Sequence, residues 1–541
     1  MPTFTPSRIA IVLLCFSLGT FLWTYGFPRQ LSPSTQPVID HYDHKNVHSA
    51  PIIPAPVIST HATTPAPTAT APAEYEADGG RWEDTDKQKE GATALTTLLT
   101  TASSEADASS TPTPQAAKFC QEIHGAPDIL VVLRTSKAEI ARKLSTHLQT
   151  LLDCVPHFAI FSDHSGDLDG VPVYDALDSI NNDTQHAYAD FDEYQLMRAD
   201  ADHPADAAKT KTLDKWKFLP MVYKAHKLRP ESRFYIFIEA DTSLSWTNLL
   251  QWTNRLDYRI PYYSGAPTFI NKVQFAQRGP GILISQGAMR RYANFYDDLY
   301  TSKWEAKVSK GCCGDLALAQ AMADAHVEFY SSWPLLQGDH PASLDYSQRH
   351  WCAPAVSWHH TSPDTITDIW STQKKWTATH GWDKPYLYRD AFEDFVASHM
   401  ETRKDKWDNL SQDAKIAAPQ GLQQQLKDEA ETNKQAEEAT TPPRRRDDKK
   451  KEIDWDKLAE QHKDAGDSAD HCQKTCEAIE NCLQWRYTSK ADGECYLSKV
   501  LRLGRRTNDN GDGFVSGWLI DRIEKVKKEW ECKKVKWEFY Q

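Results

Sequence analysis

RFYIFIEAD (Arg233–Asp241) decides the fold: a short apolar run ending in acids reads as a buried strand whose carboxyl end faces a cleft. Upstream of it, LDKWKFLPMVYKAHKL (Leu213–Leu228) reads as a helix despite Pro220. Further back, DILVVLRTS (Asp128–Ser136), KAEIARKLSTHLQTLL (Lys137–Leu152) and HFAIFS (His157–Ser162) read as strand, amphipathic helix and strand. Alternation at that spacing predicts βαβ units, a parallel sheet and an α/β sandwich. In such sheets ligands bind beyond the carboxyl ends of the strands.

FIEADT (Phe237–Thr242) delivers Glu239 and Asp241 to that end, two residues apart and so on one side of the chain. Paired carboxylates there suit a hard divalent cation that holds a diphosphate; equally, Asp241 could cap the next turn or a helix starting near Trp246. GPGILIS (Gly279–Ser285) precedes a helix over QGAMRRYANFYDDL (Gln286–Leu299), and its glycines serve a tight turn or a close ligand. GCCGDLALAQAM (Gly311–Met322) puts Asp315 at the start of an alanine-rich helix, as an N-cap or as a rigid catalytic base. WCAPAVSWHHTSP (Trp351–Pro363) presents His359 and His360 on a strand-like segment, as structural histidines or as metal ligands.

The order IEADT, GPGILISQGAMRR, GDLALAQAM, WCAPAVSWHH resembles glycosyltransferase family 31, in its core 1 β1,3-galactosyltransferase and Fringe branch of fungal type, over roughly Asp128 to His360. The resemblance implies a GT-A-type Rossmann-like fold, an inverting mechanism, Mn²⁺ or another divalent cation, and a UDP-sugar donor, UDP-galactose first. Glu239-Ala240-Asp241 stands at the family's DxD, so Asp241 is implied as a metal ligand and Glu239 as a contact to the donor or to metal-bound water. Asp315 falls where the family carries its base, although Gly314 precedes it in place of an acid. His359 matches the family's second metal ligand, and Arg134 and Lys217 are implied donor contacts.

Outside this region the 541 residues are long enough for roughly two or three domains. Residues 1–8 read as a cytosolic tail and 9–27, IAIVLLCFSLGTFLWTYGF, as an uncharged transmembrane signal anchor. A cleaved signal peptide is the alternative, but its apolar region is typically about 7–15 residues. The Pro/Thr/Ser-rich 28–118 has no apolar period and reads as a disordered stem. The transferase-like domain is expected over 119–400. A charged linker over 401–454 follows, with Arg444–Arg446 as a possible processing site. A net charge of −13 argues against nucleic acid as a partner.

Eleven cysteines are present, and the ten outside the apolar run fit a disulfide-permissive compartment better than metal binding, since no CxxC pair occurs. The sequons at Asn182 and Asn409 fall in polar sequence and are expected to carry N-glycans. From about 455 to 541, HCQKTCEAIENCLQWRYTSKADGECYLSKV (His471–Val500) resembles a PAN/Apple module, a small disulfide-rich α+β unit. That resemblance implies Cys472–Cys495 and Cys476–Cys482, leaves Cys532 unassigned, and implies protein or carbohydrate binding. The expectation is an inverting, metal-dependent β1,3-glycosyltransferase acting on a glycan or glycoprotein, anchored in the Golgi membrane by one helix with its catalytic domain luminal. The alternative is a decayed transferase that binds partners through the C-terminal module.

Overall fold

The computed structural model describes residues 120, 122–418, 461–507 and 513–537. The tail, anchor and stem expected over 1–118, and Arg444–Arg446, lie outside the described residues. Among the described residues no helix is long and apolar enough to cross a membrane.

The fold is mixed α/β. In chain order it runs β1 (Ile129–Arg134), α1 (Ile140–Gln149), β2 (Phe158–Ser162), β3 (Gly166–Leu168), β4 (Val171–Asp175), α2 (Asp214–Leu228) and β5 (Phe234–Glu239). Then come β6 (Ser243–Leu244), α3 (Trp246–Thr253), β7 (Tyr263–Gly265), β8 (Pro267–Ile270), β9 (Val273–Ala276) and β10 (Ile282–Ser285). The helices α4 (Gln286–Leu299) and α5 (Gly314–Asp324) precede β11 (Phe329–Ser331) and β12 (Ser357–Trp358). One eight-stranded sheet has the order β11-β7-β10-β5-β1-β2-β4-β3.

β1 is buried along its whole length, as a central strand covered on both faces must be. Its residues divide by alternation: Ile129, Val131 and Leu133 join one core with Ile236 and Ile238. Leu130 and Val132 join a second core with Phe218, Leu219 and Val222 of α2. β4, β2, β1 and β5 are parallel. The sheet is mixed rather than parallel, because β10 runs antiparallel to its neighbours β5 and β7, and β3 antiparallel to β4; a short apolar run such as ILIS carries no signal of direction.

The second correction concerns the linker. Its first part, expected to be solvated, forms β13 (Lys404–Asp405), β14 (Trp407–Asp408) and β15 (Ala414–Ala417). These join strands of the C-terminal module, which contains α6 (Ala469–Ala478), β16 (Gln484–Thr488), β17 (Glu494–Ser498), β18 (Arg505–Arg506), β19 (Val515–Trp518) and α7 (Ile520–Glu529). The module's sheet has the order β13-β19-β16-β17-β15, and β14 pairs with β18. Strands of two to four residues bury too little apolar surface to show a period among so many charges.

All ten cysteines outside the N-terminal run are paired. Cys472–Cys495 and Cys476–Cys482 staple the module, and Cys352–Cys532 ties it to the larger sheet's side. Cys120 pairs with Cys154, and Cys312 with its neighbour Cys313. Leu501, Leu503, Trp518 and Ile523 of the module share one core with Leu344, Tyr346, Trp351 and Phe392.

The sequon at Asn409 is not a glycan acceptor in this fold. Asn409 is 0% exposed. Its Nδ2 donates to the carbonyls of Trp485 (3.0 Å) and Gly517 (3.4 Å), and its Oδ1 accepts from Ser411 Oγ (2.8 Å). Asn182 is exposed at the start of a short helix over Asn182–Ala187. Asn182→Gln is therefore expected to abolish the mobility shift on glycosidase treatment. Asn409→Gln should leave that shift unchanged while costing about 1–3 kcal/mol of stability through unpaired buried carbonyls. A shift lost with Asn409→Gln and kept with Asn182→Gln would reverse the assignment.

Candidate active site

From β1 the chain winds outward through β2 to β4, then returns to place β5 on the other side of β1. The winding reverses at the β1/β5 pair, and the crevice beyond the carboxyl ends of such a pair is where open α/β sheets bind ligands. The register sets Arg134 opposite Glu239 at that point. Just beyond, β6 pairs antiparallel with β12, Trp358 opposite Ser243, which returns the chain to Asp241 immediately before His359. Thr361 closes the turn by donating its N–H (3.1 Å) and its hydroxyl (2.8 Å) to the Asp241 carbonyl. Ser245, not Asp241, caps α3, accepting from the N–H of Asn248.

His359 is 6% exposed. Its Nε2 lies 3.3 Å from Asp241 Oδ1 and 3.5 Å from Glu239 Oε2, yet neither ring nitrogen makes an aligned hydrogen bond. A ligand atom each from Asp241, His359 and His360 falls within 4.8 Å of the others. Extended neighbours would point to opposite faces. His360 instead has φ 58°, and the two imidazoles lie 3.9 Å apart. A non-glycine residue held in that region costs about 1–3 kcal/mol, and here it turns the His360 ring back onto that of His359. Gly279 packs against the same ring: a Cβ there would sit 2.2 Å from His359 Cε1.

Burial pushes the Asp241 carboxyl up, but the adjacent imidazole of His359, then Lys143 and His360, outweigh it and hold the carboxyl well below its usual range. Burial, then the neighbouring His359, lowers His360, which favours the neutral imidazole, the form that ligates. One carboxylate and two imidazoles, one of them buried without a hydrogen-bond partner, fit a divalent first-row transition-metal cation without selecting one metal.

Glu239 is one methylene longer than an aspartate, and its reach is used. One oxygen meets Arg134 and Arg278 (3.3 Å) while the other faces His359. Arg134 also pairs with Asp214 at 2.7 Å. Burial raises Asp214, but Arg134, Lys217 and Arg278 overcome this and hold it well below the usual range. Lys217 is not a donor contact. It is 0% exposed, and its ammonium is taken by Asp163 (2.9 Å), Asp214 (3.0 Å) and the Thr135 carbonyl (3.2 Å). Its place on the inner face of α2 makes it the anchor under Arg134. Arg134 is itself spent on two carboxylates.

Asp315 is not the N-cap of α5; Cys313 holds that position. Its carboxylate accepts from the N–H groups of Leu316 (3.0 Å) and Arg278 (3.3 Å), and the Arg278 side chain reaches Glu239, so a single residue links Asp315 to the candidate metal cluster. Gly314 has a packing reason: a Cβ there would meet the Phe218 ring at 2.5 Å, so no acid fits before Asp315 while α5 lies this close to α2. On the other face of α5 a cavity of about 1020 Å³ is lined by Cys313, Leu316, Gln320 and Phe329 among others. None of the metal cluster lies on its wall.

Arg278, Asp214, Asp163, Lys143 and His147 belong to the site or its support and were not singled out in the sequence. Lys143 and His147 lie one turn apart on α1; Lys143 approaches Asp241 (4.0 Å) and His147 bonds the Ala240 carbonyl (2.9 Å). Their i, i+4 spacing was a visible signal. Arg278, directly before the GPG turn, was another. Compared with known proteins, the chain matches no family model and no curated protein.

Proposed function

We propose that this chain is an inverting, divalent-metal-dependent β1,3-glycosyltransferase with a GT-A-type, Rossmann-like catalytic domain. On this reading it transfers a sugar, galactose first, from a UDP donor to a glycan or glycoprotein in the Golgi lumen. The observation that carries the reading is the convergence of Asp241, His359 and His360 at the carboxyl end of β5, beside the reversal of the sheet. Anchor, stem, disulfides and the exposed sequon at Asn182 support the luminal, type II placement.

In this mechanism Asp241, His359 and His360 would hold the cation, which would supply positive charge to the departing diphosphate. Lys143 and Arg278, both partly exposed beside these carboxylates, meet the diphosphate oxygens. The acceptor oxygen attacks the anomeric carbon from the opposite side. Its new bond forms as the carbon–oxygen bond to UDP breaks, and that electron pair leaves with UDP. Asp315 takes the hydroxyl proton. Glu239 keeps His359, Arg134 and Arg278 in register.

Purified full-length protein in detergent should release UDP from UDP-galactose with Mn²⁺ and an acceptor glycoside. The release should stop with EDTA and return with excess Mn²⁺. No release from any UDP-sugar under these conditions would end the enzymatic reading and leave the binding role of the C-terminal module.

A further inference from the structure

Between β11 and β12 the chain runs from 332 to 356 with no element longer than the four-residue helix Gln348–Trp351. Segments of this length without structure of their own are uncommon in a compact domain and are usually either functional or disordered; this one supports His359. The His359 N–H donates to the Asp339 carbonyl (3.3 Å), and Leu335 O accepts from Val356 N (3.0 Å). Beyond Asp339 a tight turn closes on itself, with the N–H groups of Ser343 and Leu344 both donating to the His340 carbonyl at 3.1 Å.

The far side of that turn is held by the module. Tyr346 and Leu501 form a two-way bridge (2.9 and 3.3 Å), and Gly504 N donates to the Ala342 carbonyl (2.8 Å). Arg502, 3% exposed, ion-pairs with Asp345 and donates to the Leu410 carbonyl (3.0 Å) and Ser498 Oγ (3.2 Å). Its own carbonyl accepts from the Trp518 indole (3.1 Å). Cys352–Cys532 fixes the other end of the segment, just before β12.

We infer that the C-terminal module is a working part of the metal centre: residues 501–504, locked by Arg502, are a strut that positions His359. The inference rests on the reading of His359 as a ligand, but its structural half stands without it. Sites on loops lose ligand geometry unless a second layer holds them, and removing an outer-layer partner typically lowers metal affinity about 10–100-fold. The strut is that layer for His359. Arg502 is thus a positioning residue, not a catalytic one.

Two variants test this in the full-length protein. Arg502→Met cuts the strut at its root. Asp345→Asn, at a side chain 52% exposed, cuts only the tie to the turn and leaves the module's interior intact. Amide hydrogen exchange should quicken in residues 339–361 of both variants while β1 and β5 stay protected. Mn²⁺ affinity by calorimetry should fall about tenfold or more for Arg502→Met and less for Asp345→Asn. Arg502→Lys should restore part of the loss, since it keeps the charge but not the planar fork. Unchanged exchange in 339–361 would overturn the inference, as would a loss of protection in β1 and β5 equal to that in 339–361. Should the unaltered protein bind no Mn²⁺, the proposed function fails, and the exchange data still decide the strut.

Discussion

Asp315→Asn is expected to lower turnover by about 10²–10⁴-fold, the usual cost of losing a general base, with Mn²⁺ and UDP affinity close to unaltered. The substitution is nearly isosteric. The amide oxygen can keep accepting from Leu316 N, and Cys313 rather than Asp315 occupies the cap, so the start of α5 should survive. The contact at risk is the 3.3 Å bond from Arg278 N, because an amide nitrogen there offers no lone pair. One such neutral bond is worth about 1 kcal/mol, which is small beside the roughly 2.7–5.4 kcal/mol that the turnover loss represents. Binding constants for Mn²⁺ and UDP, measured with turnover, separate the two effects. Near-normal turnover would remove Asp315 as the base. The carboxyl to test next is then Asp339, pushed up to about 6 by burial and then by the charge of Asp345.

Legibility in the sequence followed the length and apolarity of each segment. Continuous runs such as ILVVLR and FYIFIE announce buried central strands, and the acids at the end of the second locate the crevice. Short strands do not announce themselves: β6 and β12 have two residues each, yet their pairing is what brings His359 to Asp241. Nor could the sequence say which cations face the site. Lys217 and Lys143 are both helical lysines near the sheet; one is buried as an anchor and the other lies beside Asp241. That difference depends on which face of each helix meets the sheet, a tertiary fact.

Glu239 and Gly314, where the sequence differs from the motifs it resembles, look like decay in the sequence and like packing in the fold. Glu239 needs its extra methylene to reach Arg134 and Arg278 on one side and His359 on the other. Gly314 is required by Phe218. Asn409 shows the opposite error, in which a tripeptide that reads as a modification signal is a buried hydrogen-bonding hub.

Asp241→Ala is expected to abolish the Mn²⁺-dependent part of UDP binding. An outer-layer partner is worth about 10–100-fold in metal affinity, so loss of a direct ligand should exceed that range. The remaining carboxylate, Glu239, is already engaged by two arginines and is a poor substitute. Folding should persist, because Thr361 is held by the Asp241 carbonyl and not by its side chain. The measurement must compare UDP binding with and without Mn²⁺. Removing the carboxylate leaves Lys143, with His359 and His360, facing the site with less opposing charge. Metal-free UDP binding can therefore rise slightly through simple attraction to the diphosphate. The expected pattern is two nearly superimposed isotherms for Asp241→Ala and two well-separated ones for the unaltered chain. A full Mn²⁺-dependent gain in Asp241→Ala would mean that the cation is held elsewhere, and the cluster of Asp241, His359 and His360 would not be the metal centre.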